Sequence, residues 1–469
     1  MFVKVAIPIP SAKTFTYAVP DSLAASATVG KQVLVPFGRK RLTGWIIEIL
    51  PDAPEQKIRE IIGMPEPEPF FGREELAFYE WISRYYLHPL GRVLGEVLPG
   101  GTDLKSDRWI RPAAEPAGED SLSAGQKEIL QRLSSFPEGL SLNRLRQLIG
   151  EDNLYADLRL LETSGLVISE ERLNRPAVRS KWEKWIALNQ DGLAGIKLSP
   201  KQEALVSLLM EKGEMPLSEL PERLREAAFI LTMVQKGLVA LREKELFRGP
   251  GTAQPMERNG NGISPNGAQE KALAEISAGL AAASFSPFLL HGVTGSGKTE
   301  VYLRAIAEVL NNGGGAIYLV PEIALTTQLL SRIGERFPER EIAVMHSGIS
   351  LSARYDQWKR LRRGDLHLVV GARAAIFAPV RNLRLIVVDE EHDPSYKQDD
   401  RLRYNARDLA LVRGKLAGAA VILGSATPAI QTFFQAKSGR YRRLTLPSRV
   451  DDRPLPPVEV VDMRTERDE

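Results

Sequence analysis

Two stretches of this chain carry residues whose types and spacing suit chemistry on phosphate. The first, GVTGSGKT, runs from Gly292 to Thr299 and fits the pattern G-x-x-x-x-G-K-[ST]. Its glycines let the backbone curl so that N–H groups face phosphate oxygens, and a following helix adds positive potential at its start. Gly292, Thr294, Gly295, Ser296 and Gly297 are expected to line the phosphates. Lys298 would reach the β- and γ-phosphates, and Thr299 would offer its hydroxyl to Mg²⁺. The loop follows the apolar run FLLHG and precedes a helical pattern, the context this motif requires. ATP with Mg²⁺ is the expected cofactor pair.

The second stretch, VVDEEHDPSYKQ from Val387 to Gln398, ends a branched apolar run in three carboxylates and a histidine. Such residues admit a metal cage, an acid/base pair or the solvated end of a strand. Asp-Glu-Glu-His lacks zinc-site spacing, and no second ligand cluster lies nearby in the sequence. A phosphate loop, by contrast, needs a partner carboxylate at the end of another strand. Asp389 is therefore expected to hold Mg²⁺ through water and Glu390 to polarise the attacking water, which makes Lys298 and Glu390 the catalytic pair. Glu391 reads as a solvated neighbour.

Such residues need a parallel sheet to bring them together, and the C-terminal half has the grammar of one. Apolar strands FLLHGV, AIYLV, IAVMH, LHLVVGA, LRLIVVD and AAVILGS alternate with helical stretches, among them helices from Lys298, Ala324 and Asn405. The expected fold class is a multi-domain α/β protein, with a RecA-like lobe over 267–448. Residues 1–104 alternate β-like runs (FVKVAIPI, TFTYAV, KQVLVPF, GWIIEIL) with turns and then a helix, and read as a small β-rich domain. DRWIRPAAEPAGEDS reads as a linker. Residues 119–176 give three short helices and a hairpin-like pair, the pattern of a winged helix, with Ser123 as the first N-cap. A second copy of that layout spans 196–248; both copies open L-S-x-x-Q and close G-L-V. Winged helices bind either DNA or protein, so the pattern alone assigns no function. Residues 249–266, rich in Gly, Pro and Asn, read as a linker.

Composition excludes several classes. Of the 469 residues 43% are apolar and 26% charged, which suits a folded globular protein and not a disordered one. The net charge of +3 means that any nucleic-acid footprint must be local. There are no cysteines, so neither disulfides nor thiolate zinc sites are possible within these residues. No apolar run approaches a membrane span. The expectation is a cytoplasmic protein without membrane contact.

LVPEIALTTQ, DEEH and GSATPA, each at a strand end, resemble together with the phosphate loop the conserved motifs of superfamily 2 helicases. The wording is closer still to one group. AIYLVPEIALTTQLLSRIGERF, MHSGISLSARYDQWKRLRRGD, LIVVDEEHDPSYKQ, RYNARDLALVR and VILGSATPAIQT resemble the PriA family of bacterial replication restart helicases, as do VAIPIPSAKTFTYAVP, VLVPFGRK and YYLHPLGRVLGEVLP near the N-terminus. The resemblance covers the chain except the second winged-helix-like unit and the linkers. It implies ATP-dependent 3′→5′ unwinding at stalled or abandoned forks and the start of primosome assembly. Implied partners are forked DNA with a 3′ end, single-stranded DNA, primosomal proteins, single-strand-binding protein and the loader of a replicative helicase. A bacterial, nucleoid-associated location goes with them.

Carried over by motif, the 3′-end pocket falls on Phe15, Thr16, Gly38 and Arg59. Phe15 would stack on the terminal base, Gly38 would permit close approach and Arg59 would meet phosphate. Thr16 stands where the family's usual residue is an acid, so recognition of the 3′-hydroxyl is expected to be weaker. The resemblance also implies strand contacts by Thr326 and Thr327, and by Arg373 in a pattern whose flanking hydroxyls are here Ala372 and Ala374. His392 would link the nucleotide site to Ser425 and Thr427. Tyr396, Lys397, Arg403, Tyr404 and Arg407 fall on an aromatic-rich loop that senses DNA, with Leu402 in place of the family's tryptophan and Asn405 in place of its histidine. Gln269, upstream of the phosphate loop, stands where related motors read adenine, the alternative being a plain helix-start residue.

The chain ends at VVDMRTERDE, and 449–469 reads as the start of a connection. The family continues into a cysteine-rich zinc element and a second lobe carrying an arginine finger. These residues alone are therefore expected to bind nucleotide and forked DNA with little turnover, and to hold no zinc. The alternative is a fork-binding platform that does not translocate.

Overall fold

The computed structural model describes residues 1–38, 40–51, 58–102, 106–113, 122–150, 153–173, 178, 180–189, 198–248, 264–338 and 341–450. The expected linker over 249–266 falls almost wholly outside the described residues, as does the connection beyond residue 450.

The N-terminal domain holds β1 (Phe2–Ala6), β2 (Phe15–Ala18), a short α1 (Asp21–Ala24), β3 (Gln32–Phe37) and β4 (Lys40–Leu50) in an antiparallel sheet ordered β2-β1-β4-β3. Period-two alternation sends Val3, Val5, Val33, Val35 and Ile46 into one small core. Helices α2 (Arg73–Tyr85) and α3 (Leu90–Val97) follow.

Next comes β5 (Ser106–Pro112), then α4 (Ala124–Ser134), β6 (Leu140–Ser141), α5 (Leu142–Ile149), α6 (Leu154–Thr163) and β7 (Val167–Leu173). Strand β5 lies in the stretch read as a linker. It pairs antiparallel with β7 and buries Ile110 fully, so the first winged unit begins with a strand ahead of its helices. A single inward residue beside Pro112 leaves too little alternation for the sequence to announce it. The second unit repeats the arrangement with β8 (Lys181–Leu188), α7 (Pro200–Lys212), β9 (Met215–Pro216), α8 (Ala227–Gln235) and β10 (Val239–Leu246). Its middle helix is replaced by two 3-10 turns, Leu217–Glu219 and Glu222–Leu224, each preceded by a proline. The repeated L-S-x-x-Q has a mechanical reason. Ser123 and Ser199 each accept from the backbone N–H of Gln126 and Gln202, whose side chains return the bond to the serine N–H.

The C-terminal lobe contains α9 (Gly267–Ala281), β11 (Ser286–Gly292), α10 (Lys298–Asn311), β12 (Gly315–Leu319), α11 (Thr327–Arg336), β13 (Ala343–Met345), α12 (Leu351–Arg363), β14 (Leu368–Gly371), β15 (Leu383–Val388), α13 (Ala406–Ala417), β16 (Ala420–Ser425), α14 (Ile430–Lys437) and β17 (Arg442–Leu446). Its seven strands pair in parallel in the order β13-β14-β12-β15-β16-β11-β17, a RecA-like lobe. The helix expected from Ala324 starts later: a 3-10 turn covers Glu322–Ala324, and Thr326 caps α11 by accepting from Leu329 N–H.

The N-terminal domain and the lobe share one apolar core. Trp45, Phe70, Phe71, Phe78 and Tyr79 pack in the same cluster as Trp358, Phe377 and Tyr404. Polar bonds pin the seam. Trp358 Nε1 donates to the Phe70 carbonyl at 2.8 Å, and Tyr79 donates to the Phe377 carbonyl at 3.2 Å. The second winged unit joins through buried charges: Glu245 of β10 takes Lys359 at 2.6 Å and Arg363 at 2.7 Å, both on α12. Arg248 pairs with the fully buried Asp356 at 2.8 Å.

Candidate nucleotide and DNA site

The phosphate loop leaves the end of β11, between β16 and β17, and α10 begins at Lys298. Gly295 and Gly297 have φ of 80° and 82°, backbone that L side chains rarely adopt and that a loop curling around an anion needs. The Ser296 hydroxyl is buried in that curl without a partner, and Lys298 Nζ donates to the Gly292 carbonyl at 3.0 Å. Thr294 is exposed and Thr299 half-buried on the first turn of α10. These residues fit a bound phosphate chain. Gln269 is buried; its amide oxygen accepts from Asn266 N–H, and Nε2 donates to the Ser296 carbonyl at 3.0 Å. It clamps α9 to the phosphate loop through both ends of its amide.

Asp389 and Glu390 follow β15, two strands away from β11, so the parallel sheet delivers them to the same edge as the loop. Glu390 Oε1 lies 3.7 Å from Lys298 Nζ. Two tyrosines that the sequence reading missed hold Asp389: Tyr302 of α10 donates to Oδ1 at 3.1 Å and Tyr318 of β12 to Oδ2 at 3.5 Å. Tyr302 reaches it by crossing Gly424, where any β-carbon would collide with the phenol oxygen. Burial, with the Glu390 carboxylate alongside, pushes the Asp389 carboxyl up to about 6. Burial and the same Asp389 charge push both tyrosines well above their ordinary value, so each stays a donor. Glu390 itself sits at φ 43°, a strained backbone for a non-glycine residue, at the point where the strand must turn its carboxylate toward Lys298.

Glu391 is not solvated. It is 2% exposed, and its carboxylate accepts from Ala429 N–H at 2.7 Å, the Thr432 hydroxyl at 2.8 Å and Arg407 at 3.3 Å. It ties the strand end to α13 and α14, and only tertiary packing reveals it. His392 uses both ring nitrogens: Nδ1 meets the Ser425 hydroxyl at 2.8 Å, and Nε2 meets the Thr427 hydroxyl at 3.4 Å. Glu390 Oε2 is 3.6 Å from the same ring. A chain of contacts thus runs from Lys298 through Glu390 and His392 to Ser425 and Thr427.

The residues expected on the aromatic-rich loop divide in two. Lys397 and Arg403 are exposed, Lys397 pairing with Asp399 at 3.0 Å and Arg403 Nε donating to the Asp399 carbonyl at 3.1 Å. Tyr396 and Tyr404 are 1% and 8% exposed and offer no face for stacking, a correction to the expectation for both. Tyr396 donates to the Asp389 carbonyl at 2.6 Å, and Tyr404 packs edge-on against Phe377. Arg407 is taken up by Glu391 and Asp408. Arg373 donates to the carbonyls of Ser395 and Lys397, at 3.2 and 2.9 Å, and so braces this loop from the neighbouring turn. Leu402 is buried, with its N–H bound by Glu96 of α3 at 2.8 Å. Asn405 caps α13 by accepting from Arg407 N–H. Thr326 and Thr327 are exposed at the start of α11.

In the N-terminal domain, Arg59 Nη1 donates to the Gly38 carbonyl at 3.2 Å, and Phe15 packs edge-on against Phe37 at 5.1 Å. Thr16 sits beside Phe15 on β2, half-exposed. The four expected residues therefore gather at one end of the β2-β1-β4-β3 sheet.

Comparison with known proteins follows the same division. Residues 4–99 match the 3′DNA-binding domain (3′BD) family, and residues 266–435 match the DEAD/DEAH box helicase family. The chain is 32% identical over 463 residues to the replication restart protein PriA of Bacillus subtilis (strain 168), covering 97% of this chain and 56% of that protein. It is 36% identical over 473 residues to the replication restart protein PriA of a Synechocystis strain, covering 96% and 55%. The chain thus spans about half the length of these curated relatives. Among solved structures, RecG bound to a three-way DNA junction is 26% identical over 39% of this chain and 24% of its own, with a TM-score of 0.32.

Proposed function

This chain belongs to the PriA family of replication restart proteins, and on that premise we propose that it binds ATP with Mg²⁺ and forked DNA as part of a 3′→5′ helicase that restarts abandoned forks. The observation that carries the reading is the unbroken path from Lys298 through Glu390 and His392 to Ser425 and Thr427. It connects a phosphate-facing lysine with a motif on the edge from which a strand-gripping segment departs.

Lys298 and the loop N–H groups bind and orient the phosphates. Thr299 and, through water, Asp389 would hold Mg²⁺, which supplies positive charge to the phosphate oxygens when bound. Glu390 orients the attacking water and takes its proton at the carboxylate. His392 changes its hydrogen bonds to Ser425 and Thr427 as Glu390 changes charge. Phe15, Thr16, Gly38 and Arg59 receive a 3′ end, while Thr326, Thr327, Lys397 and Arg403 follow single-strand phosphates. Primosomal proteins, single-strand-binding protein and a helicase loader are the partners this role calls for.

The test measures ATP binding and DNA-stimulated hydrolysis by this chain on a fork with a 3′-hydroxyl end. Lys298→Ala should abolish nucleotide binding, whereas Glu390→Gln should keep binding and remove turnover. Failure of nucleotide to change fork affinity would support a non-translocating platform instead.

A further inference from the structure

Strand β17 runs parallel beside β11, so its C-terminal end emerges at the edge that carries the phosphate loop. The chain leaving it, Leu446–Val450, is strapped onto that loop by two main-chain bonds. Val293 N–H donates to the Leu446 carbonyl at 3.3 Å, and Val450 N–H donates to the Gly295 carbonyl at 3.1 Å. The Arg449 side chain consequently lies along Gly295, its Cγ and Cδ 3.8 and 3.9 Å from where a β-carbon of that glycine would stand. Its Nε is buried without a hydrogen-bond partner. Val450 packs beside Gly297 next to Gln269, which fixes the strap on the Gln269 side of the loop.

We propose that Arg449 is a nucleotide-binding residue whose guanidinium meets the phosphate chain held by Gly292–Thr299. A buried guanidinium N–H without an acceptor is costly, and the strap places it against a loop shaped for anions. Arg449 then adds a fixed cation opposite Lys298 and makes the strap responsive to nucleotide: phosphate binding tightens Leu446–Val450 on the loop, and release loosens it. The inference rests on the reading of this loop as a nucleotide site.

The experiment uses the full chain and titrates a fluorescent ADP, with ATP and inorganic pyrophosphate as competitors, for the unaltered protein, Arg449→Ala and Arg449→Lys. Arg449→Ala should weaken ADP, ATP and pyrophosphate alike by roughly 10–100-fold, the range of a charge-assisted hydrogen bond. Arg449→Lys should recover part of the loss. Thermal unfolding without nucleotide should not fall in Arg449→Ala, because Nε has no acceptor among the described residues and its burial is a cost the substitution relieves. Equal affinities in all three proteins overturn the proposal while leaving the site intact. Weakened ADP with unchanged pyrophosphate overturns the phosphate contact in favour of base stacking. No binding by the unaltered protein overturns the nucleotide reading itself.

Discussion

The Tyr396 hydroxyl donates to the main-chain carbonyl of Asp389 at 2.6 Å. One bond therefore joins the first turn of the 393–405 loop to the strand end that carries the carboxylate proposed to hold Mg²⁺. The loop's far end is fixed from elsewhere: Glu96 of the N-terminal domain accepts from Leu402 N–H, and Tyr86 lies against Asn405 N–H. On the proposed function, a strand pressing on Lys397 or Arg403 would push on a loop tied at Asp389 and anchored on the N-terminal domain.

Tyr396→Phe keeps the buried ring and deletes that bond, at a cost of about 1–2 kcal/mol for the unpaired carbonyl. Nucleotide affinity and DNA affinity, each measured alone, should stay within about threefold, a difference under 1 kcal/mol. The stimulation of hydrolysis by DNA should fall. Undiminished stimulation would show that the loop signals by another route.

Asp389→Asn should stabilise the protein and disable its metal. A carboxyl whose folded pKa is about 6 against an ordinary 3.8 holds its proton more tightly when folded. It therefore costs stability above about pH 6, and the cost fades as pH falls from 6 toward 4. Urea unfolding at pH 7.5 should find Asp389→Asn more stable by about 3 kcal/mol, the order set by the raised pKa. The gap should close by pH 4, and Mg²⁺-dependent nucleotide binding should be lost. A variant less stable than its parent at neutral pH would contradict the account.

The parallel sheet, the phosphate loop and the Asp389–Glu390 pair were legible because each depends on residues close in sequence: alternating strands and helices, glycine spacing, and acids at a strand end. Tyr302, Tyr318 and Glu391 were not. Their roles come from distant contacts, Tyr302 across Gly424 and Glu391 across to Thr432 and Ala429. Tyr396 and Tyr404 were misread for the same reason. Aromatics beside basic residues suit DNA, but here they fill the seam between the loop and the lobe. Strand β5 was hidden by its single inward residue beside Pro112, and the fusion of the N-terminal core with the lobe has no local sign at all.

The seam between the second winged unit and the lobe can be probed at Glu245, 5% exposed at its side chain and shared by Lys359 and Arg363. Glu245→Ala strands the Lys359 ammonium in a buried seam and should cost about 3–5 kcal/mol. The exposed pair Lys244–Glu214 on the same unit provides the control: Glu214→Ala should leave the denaturation midpoint almost unmoved. Chemical denaturation of both variants decides it. Similar small losses would mean that the second winged unit is held by its apolar packing alone.

At the other end of the protein, Thr16 stands next to Phe15, with Gly38 and Arg59 completing the expected 3′-end pocket. A threonine hydroxyl both donates and accepts, so it accommodates a 3′-hydroxyl and a 3′-phosphate with little distinction. A carboxylate accepts from the hydroxyl and repels the phosphate. Thr16→Asp should therefore raise the preference for 3′-hydroxyl over 3′-phosphate ends by at least roughly tenfold, since like charges placed together cost several kcal/mol. Arg59→Ala should weaken both ends without changing their ratio, because phosphate contacts carry no end chemistry. Gly38 has φ 60° with open space where a β-carbon would stand, so Gly38→Ala should fold at a cost of about 1–2 kcal/mol and still lose end binding by obstruction. Fluorescence anisotropy with matched oligonucleotides gives all three results. An unchanged ratio in Thr16→Asp would place the terminal hydroxyl elsewhere on the domain.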